Sequence, residues 1–176
     1  MIQDEPLSFS AYDLFFREWN ESDAEQMTRL FDTDEMNRWT PLPSPFTPDV
    51  ALAYVARALD ARKQNGTLQL AVCSEPGGPP IGEVLIFPSE EPETVELAYA
   101  VGADYRGGRV GARAVEAALD HARLAGTRRA VLTIAEDNAA SQATAEAAGF
   151  SKKEAPLRRR ERKGFVLHMQ TWVRLL

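Results

Sequence analysis

The segment TVELAYAVGADYRGGRVGARAVEAALDHA, residues 94–122, constrains the fold more than any other part of the chain. An apolar strand, Thr94 to Val101, runs through a glycine-rich turn into a helix from about Val110 to Ala125, which stops at Gly126. The next apolar run, AVLTIA (130–135), has to return by a crossover and so lies parallel to the first strand. Gly107, Gly108 and Gly111 crowd the turn, with Arg106 and Arg109 beside them. A helix N-terminus offers unpaired amides and the positive end of its dipole, and glycines let a diphosphate approach the backbone. A turn that needs glycine only for its conformation would look the same. The dinucleotide pattern G-x-G-x-x-G is not met, and no Lys-Ser or Lys-Thr pair marks a P-loop.

Elsewhere the pattern alternates less regularly. Tyr12 to Trp19 reads as a first strand, and SDAEQMTRLF as a helix entered through a Ser22/Glu25 capping box, with Met27, Leu30 and Phe31 on one face. Arg38 to Asp49 holds four prolines and is expected to be a loop. Thr47 and Pro48 start another helix, which Gly66 ends. LQLAVC, IGEVLIF and TVELAYAV then form an antiparallel meander. Asn138 to Gly149 is a helix, and FVLHMQTWVRL (165–175) a long last strand that lies between neighbours or caps a sheet edge in a homodimer. The fold expected is mixed α/β (α+β): a mostly antiparallel central sheet of about seven strands flanked by helices.

Length bounds this to one domain over residues 1–176. A net charge of −6 argues against nucleic-acid binding and mildly favours a cationic acceptor. The lone Cys73, within an apolar run, suits a reducing cytosol. The polar start MIQDEPLSFS lacks a signal peptide, and no run is long enough to span a bilayer, so a cytoplasmic protein without membrane partners is expected. Two histidines and one cysteine, scattered, give no metal-ligand spacing, and no metal is expected.

Three stretches together resemble the GNAT superfamily of acyl-CoA-dependent N-acetyltransferases, and more narrowly its RimJ/RimL-like branch, which acts on ribosomal-protein N-termini. They are FFREWNESDAEQMTRLF, ELAYAVGADYRGGRVGARAVEAAL and AEDNAASQATAEAAGF, the last with the family's Asn138, Ser141, Gly149 and Phe150. The resemblance implies a GNAT domain with acetyl-CoA as co-substrate. Its coenzyme motif falls on Arg106, Gly107, Gly108, Arg109, Val110 and Gly111, with Arg109 where the family has glycine. That arginine either disturbs the diphosphate site or turns its guanidinium onto a phosphate. Val101, Ala112, Asn138 and Ser141 complete the implied cofactor set.

Acetyl transfer needs a neutral amine, a polarised thioester and a proton for the departing thiolate. Glu96 is the candidate base, sharing a strand face with the small Ala98 and Ala100, while Tyr99 falls on the opposite face and is expected in the core. Many family members carry a tyrosine where this chain has Ala145; the resemblance instead puts Ser141 near the cofactor sulfur. Trp39, Thr40 and Phe46, in the proline-rich loop, are the candidate acceptor wall, or else anchor that loop. RRRERKG (158–164) reads as a solvated loop, with an anionic group as its alternative partner. His121 and His168 are read as structural. The expected activity is acetyl transfer to a primary amine, on a protein N-terminus or a small molecule. The alternative is a non-catalytic acyl-CoA-binding or partner-binding module.

Overall fold

A computed structural model describes residues 5–176; the first four residues of the polar opening segment lie outside them. Nine strands and five helices follow in the order β1 (Ser8–Ala11), β2 (Leu14–Glu18), α1 (Ala24–Phe31), α2 (Asp34–Trp39), α3 (Pro48–Asn65), β3 (Leu68–Cys73), β4 (Pro80–Pro88), β5 (Thr94–Val101), α4 (Val110–Leu124), β6 (Arg129–Ala135), α5 (Ala139–Ala147), β7 (Ser151–Lys152), β8 (Arg158–Arg162) and β9 (Phe165–Leu175). They build one sheet in the order β1-β2-β3-β4-β5-β6-β9-β7, with β8 also on β9. Every pairing is antiparallel except that of β5 with β6. The crossover through α4 dictates that one parallel pair.

The expected architecture holds, with nine strands in place of seven. The strand expected from Tyr12 to Trp19 is β2, shortened at its start because Tyr12 and Asp13 both take positive φ, 53° and 55°, and fold the additional strand β1 back on it. RRRERKG is not a loop: Arg158–Arg162 pairs with Phe165–Met169 through a Lys163–Gly164 turn. The proline-rich loop begins only after α2, a short helix capped by Thr33. The capping box sits at Asn20 and Asp23 rather than Ser22 and Glu25, because a single 3-10 turn precedes α1. Asp23 is buried there and held by both guanidinium nitrogens of Arg17, at 2.7 and 2.8 Å. Thr47, Pro48 and Gly66 bound α3 as expected.

Period-two alternation sends Leu70, Val72, Val84, Val95 and Leu97 to one face, where α4 and α5 cover them. The other face carries Ala71 and Ala100 under α1 and α3, with Trp19, Phe31, Phe46 and Tyr54 in edge-to-face contact. β9 lies between β6 and the β7/β8 edge, so it offers no free edge to a second copy.

One irregularity positions the site. The β5/β6 ladder runs only from Thr94↔Arg129 to Leu97↔Leu132. Both strands continue beyond it, to Val101 and Ala135, each paired only on its outer side. The centre of the sheet therefore splits open along Ala98–Val101.

Candidate active site

The glycine turn lies at the open end of this split. Gly107 takes φ 89° and Arg109 φ 55°, ψ 24°, so the chain enters α4 through the left-handed region. Arg109 thus keeps the backbone path that glycine favours, at a cost of about 1–2 kcal/mol. No side chain caps α4, which leaves the first-turn amides of Val110, Gly111 and Ala112 without helical partners. Arg106 is held by ion pairing to Glu35 of α2 and donates to the Val101 carbonyl at 3.2 Å. Arg109 makes no ion pair among the described residues, so its guanidinium is available to an incoming anion.

A cavity of about 260 Å³ lies beside the turn, lined by Val101, Arg106, Gly107, Arg109, Val110 and Gly111, with α2 and α5 closing its sides. Gly108 is exposed and Ala112 is buried in the inner face of α4, so neither lines it. Glycine at 111 has a packing reason: a Cβ there would meet Thr144 at 3.2 Å and the Tyr99 ring at 3.4 Å. The ring contact would be ordinary, so it is Thr144 of α5 that would have to give way to a side chain there.

A second cavity, of about 600 Å³, opens on the other side of the split. The two share Trp39, Thr40, Tyr99, Ala100, Asn138 and Ser141 as walls. Two ligands entering from opposite sides would therefore meet at Ala100, Tyr99 and Ser141. Here Asn138 caps α5 by accepting from the Ser141 amide at 3.1 Å. The Tyr99 hydroxyl lies 2.8 Å from Ser141 Oγ. Tyr99 faces α5 as the alternation requires and packs against the core as expected, while it also lines both cavities. Burial raises its phenol above the usual range, with the Ser141 hydrogen bond acting against it, and it stays protonated at neutral pH. Ala145 of α5 is wholly buried, and the phenol at this junction comes from the strand.

The second cavity carries two carboxylates. Glu96 is exposed and accepts from Thr133 Oγ1 at 3.0 Å. Glu83 of β4, which alternation alone did not single out, is 4 % exposed and accepts from the Tyr54 hydroxyl at 2.7 Å. The Trp19 indole faces it too, without reaching hydrogen-bond geometry. Burial pushes Glu83 up from 4.5 to about 7, the two side-chain contacts opposing the rise. A glutamate inside the apolar run IGEVLIF was the available signal, because an unpaired carboxylate is rarely buried without a function. Glu83 stands directly opposite Ala100 across β4 and β5. Glu96 lies four residues back along the strand, about 13 Å at 3.3 Å per residue.

Of the expected acceptor wall, Trp39 and Thr40 line both cavities, while Phe46 does not belong to it. Phe46 is fully buried between Phe31 and Tyr54, because the loop turns inward to fill the α1/α3 layer. His121 stacks on Phe9, and His168 lies 3.4 Å from Glu136 rather than without an acidic neighbour. Among the described residues, no cluster of His, Cys, Asp and Glu suits a metal, and no helix is long and apolar enough to cross a membrane.

The sequence profile of the acetyltransferase (GNAT) domain matches residues 13–151, most of the chain. The chain belongs to the GNAT acetyltransferases. No curated protein matches its sequence. Solved structures share the GNAT fold at low identity. Ribosomal-protein-S5-alanine acetyltransferase from Vibrio fischeri superposes with TM-score 0.79 at 19 % identity, over 96 % of each chain. Mycobacterium smegmatis RimJ, solved with CoA-disulfide, gives 0.82 at 17 %, over 97 % of this chain and 86 % of its own. The microcin C7 self-immunity acetyltransferase MccE, solved with acetyl-CoA and AMP, gives 0.81 at 18 %, over 99 % and 94 %. The glycine turn, split sheet and α4 N-terminus are thus features of a GNAT acetyltransferase.

Proposed function

We propose that this GNAT domain binds acetyl-CoA in the 260 Å³ cavity and an acceptor amine in the 600 Å³ cavity, and joins them at Ala100, Tyr99 and Ser141. The observation that carries this reading is the shared wall of the two cavities. The diphosphate would lie on the amides of Val110, Gly111 and Ala112 with the Arg109 guanidinium beside it. The pantetheine arm would follow the unpaired side of Ala98–Val101, and the acetyl carbonyl would reach the junction.

Glu83 takes the ammonium proton, since a group that titrates near 7 matches the working pH. The neutral amine attacks the thioester carbonyl. As the C–S bond breaks, the electron pair leaves on sulfur, the attacking nitrogen gives up its second proton, and the Tyr99–Ser141 pair relays a proton to the thiolate, leaving the amide and the free thiol. Glu96, about 13 Å along the strand from Ala100, holds the distal part of the acceptor rather than the reacting nitrogen. The acceptor is a primary amine on a compact molecule or at a chain N-terminus, as its cavity size allows. A cytoplasmic setting belongs to the same reading, with Cys73 buried and unpaired.

Thermal unfolding with acetyl-CoA, followed by a thiol-release screen of amines, tests the proposal. Acetyl-CoA at 100 times its dissociation constant stabilises the native state by about 2.7 kcal/mol. Thiol release that depends on the amine supports the proposal. Binding without transfer to any amine supports a non-catalytic module instead.

A further inference from the structure

Strand β8 divides its charges between its two faces. Arg159 and Glu161 fall on one side and pair with each other at 2.9 Å. Arg158, Arg160 and Arg162 alternate onto the other, opposite Met169, Leu167 and Phe165 of β9. The Lys163–Gly164 turn, with φ of 51° and 79°, is a two-residue hairpin loop that fixes this register. Among the described residues, none of these three arginines, of which Arg158 and Arg160 are exposed and Arg162 half-buried, has an acidic partner.

Arg160 and Arg162 line the acceptor cavity, and neither lines the cavity at the glycine turn. They are therefore not placed for the phosphates of the cofactor. Arg162 donates from Nη2 to the Trp39 carbonyl at 3.0 Å, while its Nε is buried without any partner. Burial, and then the neighbouring Arg160 charge, push its pKa down. Two guanidinium groups side by side, one with an orphaned N–H, form a donor set that lacks its acceptor. Carboxylates and phosphates match such planar donors. The net charge of −6 makes this positive wall a local feature that runs against the rest of the chain.

We propose that Arg160 and Arg162 form an oxyanion subsite, so that the acceptor carries a carboxylate or phosphate as well as its amine. Glu83 receives the amine end and the arginine wall the anionic end, which selects a zwitterionic acceptor over a simple cation. The inference rests on the assignment of the 600 Å³ cavity to the acceptor.

Three acceptor pairs that differ only in the anion test it: alanine against alaninamide, O-phosphoethanolamine against ethanolamine, and C-terminally amidated Ala-Asp against Ala-Asn. Binding to the CoA-saturated protein is measured by titration calorimetry, and turnover by thiol release on the same solutions. The anionic member of at least one pair is expected to bind roughly tenfold or more tightly, and the pair that responds identifies the source of the anion. Arg160→Gln removes that preference through KM, and Arg160→Lys restores part of it. Because Arg162 also holds the Trp39 carbonyl, Arg160 is the cleaner position to vary. Absence of preference in all three pairs, or a preference that survives Arg160→Gln, overturns the subsite. A preference in binding without turnover leaves the subsite standing and overturns the transferase reading.

Discussion

Tyr99 and Ser141 meet at 2.8 Å across the junction of the two cavities, one from β5 and the other from α5. In the proposed mechanism the pair places two hydroxyls where the thiolate would depart. Tyr99→Phe and Ser141→Ala are each expected to lower kcat by about 10²-fold, the lower end of general-acid effects, with the KM for acetyl-CoA little changed. The double variant falls no further than the worse single one, because the two act as a unit. Steady-state kinetics decide; additive losses would mean separate roles.

If Glu83 is the base as proposed, it is expected to set the acid limb of the rate profile. With its carboxyl raised to about 7, kcat declines below that pH, and Glu83→Gln removes the limb together with most of the activity. A pH–rate profile with no inflection near 7 in the wild type would take the base role away from Glu83.

The same group links stability to pH. Its pKa is higher folded, about 7, than unfolded, near 4.5, so the folded state holds the extra proton between those values. Its contribution is complete below pH 4.5 and is lost as pH rises to 7, about 3 kcal/mol in all. Glu83→Gln keeps an acceptor for the Tyr54 hydroxyl and has no proton to lose. Denaturant titrations from pH 4.5 to 8 are expected to show the variant gaining on the wild type as pH rises.

Arg109 tests the turn itself. Arg109→Gly relieves the positive φ at the cost of unfolded-chain entropy, and stability is expected to stay within about 1 kcal/mol of the wild type. Protection by acetyl-CoA is retained in thermal unfolding, reduced only by the loss of one guanidinium contact. Arg109→Val, β-branched at φ 55°, destabilises by more than 1 kcal/mol and weakens cofactor binding through the displaced amides.

Phe46 and Trp39 separate core from wall. Phe46→Ala is expected to cost about 3–5 kcal/mol, as for a buried ring, and to leave the acceptor KM of the folded fraction unchanged. Trp39→Ala, half-buried under the Arg38 guanidinium at 4.7 Å, costs less stability and raises KM. Chemical denaturation and acceptor kinetics on both variants check the distinction.

Local signals explain what could be read from the chain. The meander, the crossover at α4 and the caps at Thr47, Gly66 and Asn138 follow from periodicity and from residues that satisfy helix ends. The shape of the glycine turn proposed to hold the cofactor was legible for the same reason, because it is built by backbone at contiguous positions. The acceptor side was not. Glu83, Tyr54 and Arg160 are far apart in sequence, and only the packing of α3 and β8 around the sheet brings them to one cavity. Alternation placed Tyr99 on the correct face but carried no information that α5 seats Ser141 there. Phe46 misled because proline-rich loops usually stay outside, and this one folds its aromatic ring into the core.

Proteins guard their unpaired strands at the periphery, since an exposed row of amides and carbonyls will zip to any extended chain. This protein keeps such a row in its interior, along Ala98–Val101. Cavities on both sides give a ligand access to it. A pantetheine arm lying there would act as a temporary strand, and slower hydrogen exchange at the alternate amides of Ala98–Val101 that point away from β4 would record its arrival. What would be an aggregation hazard at the rim becomes, in the middle of the sheet, a template for one ligand.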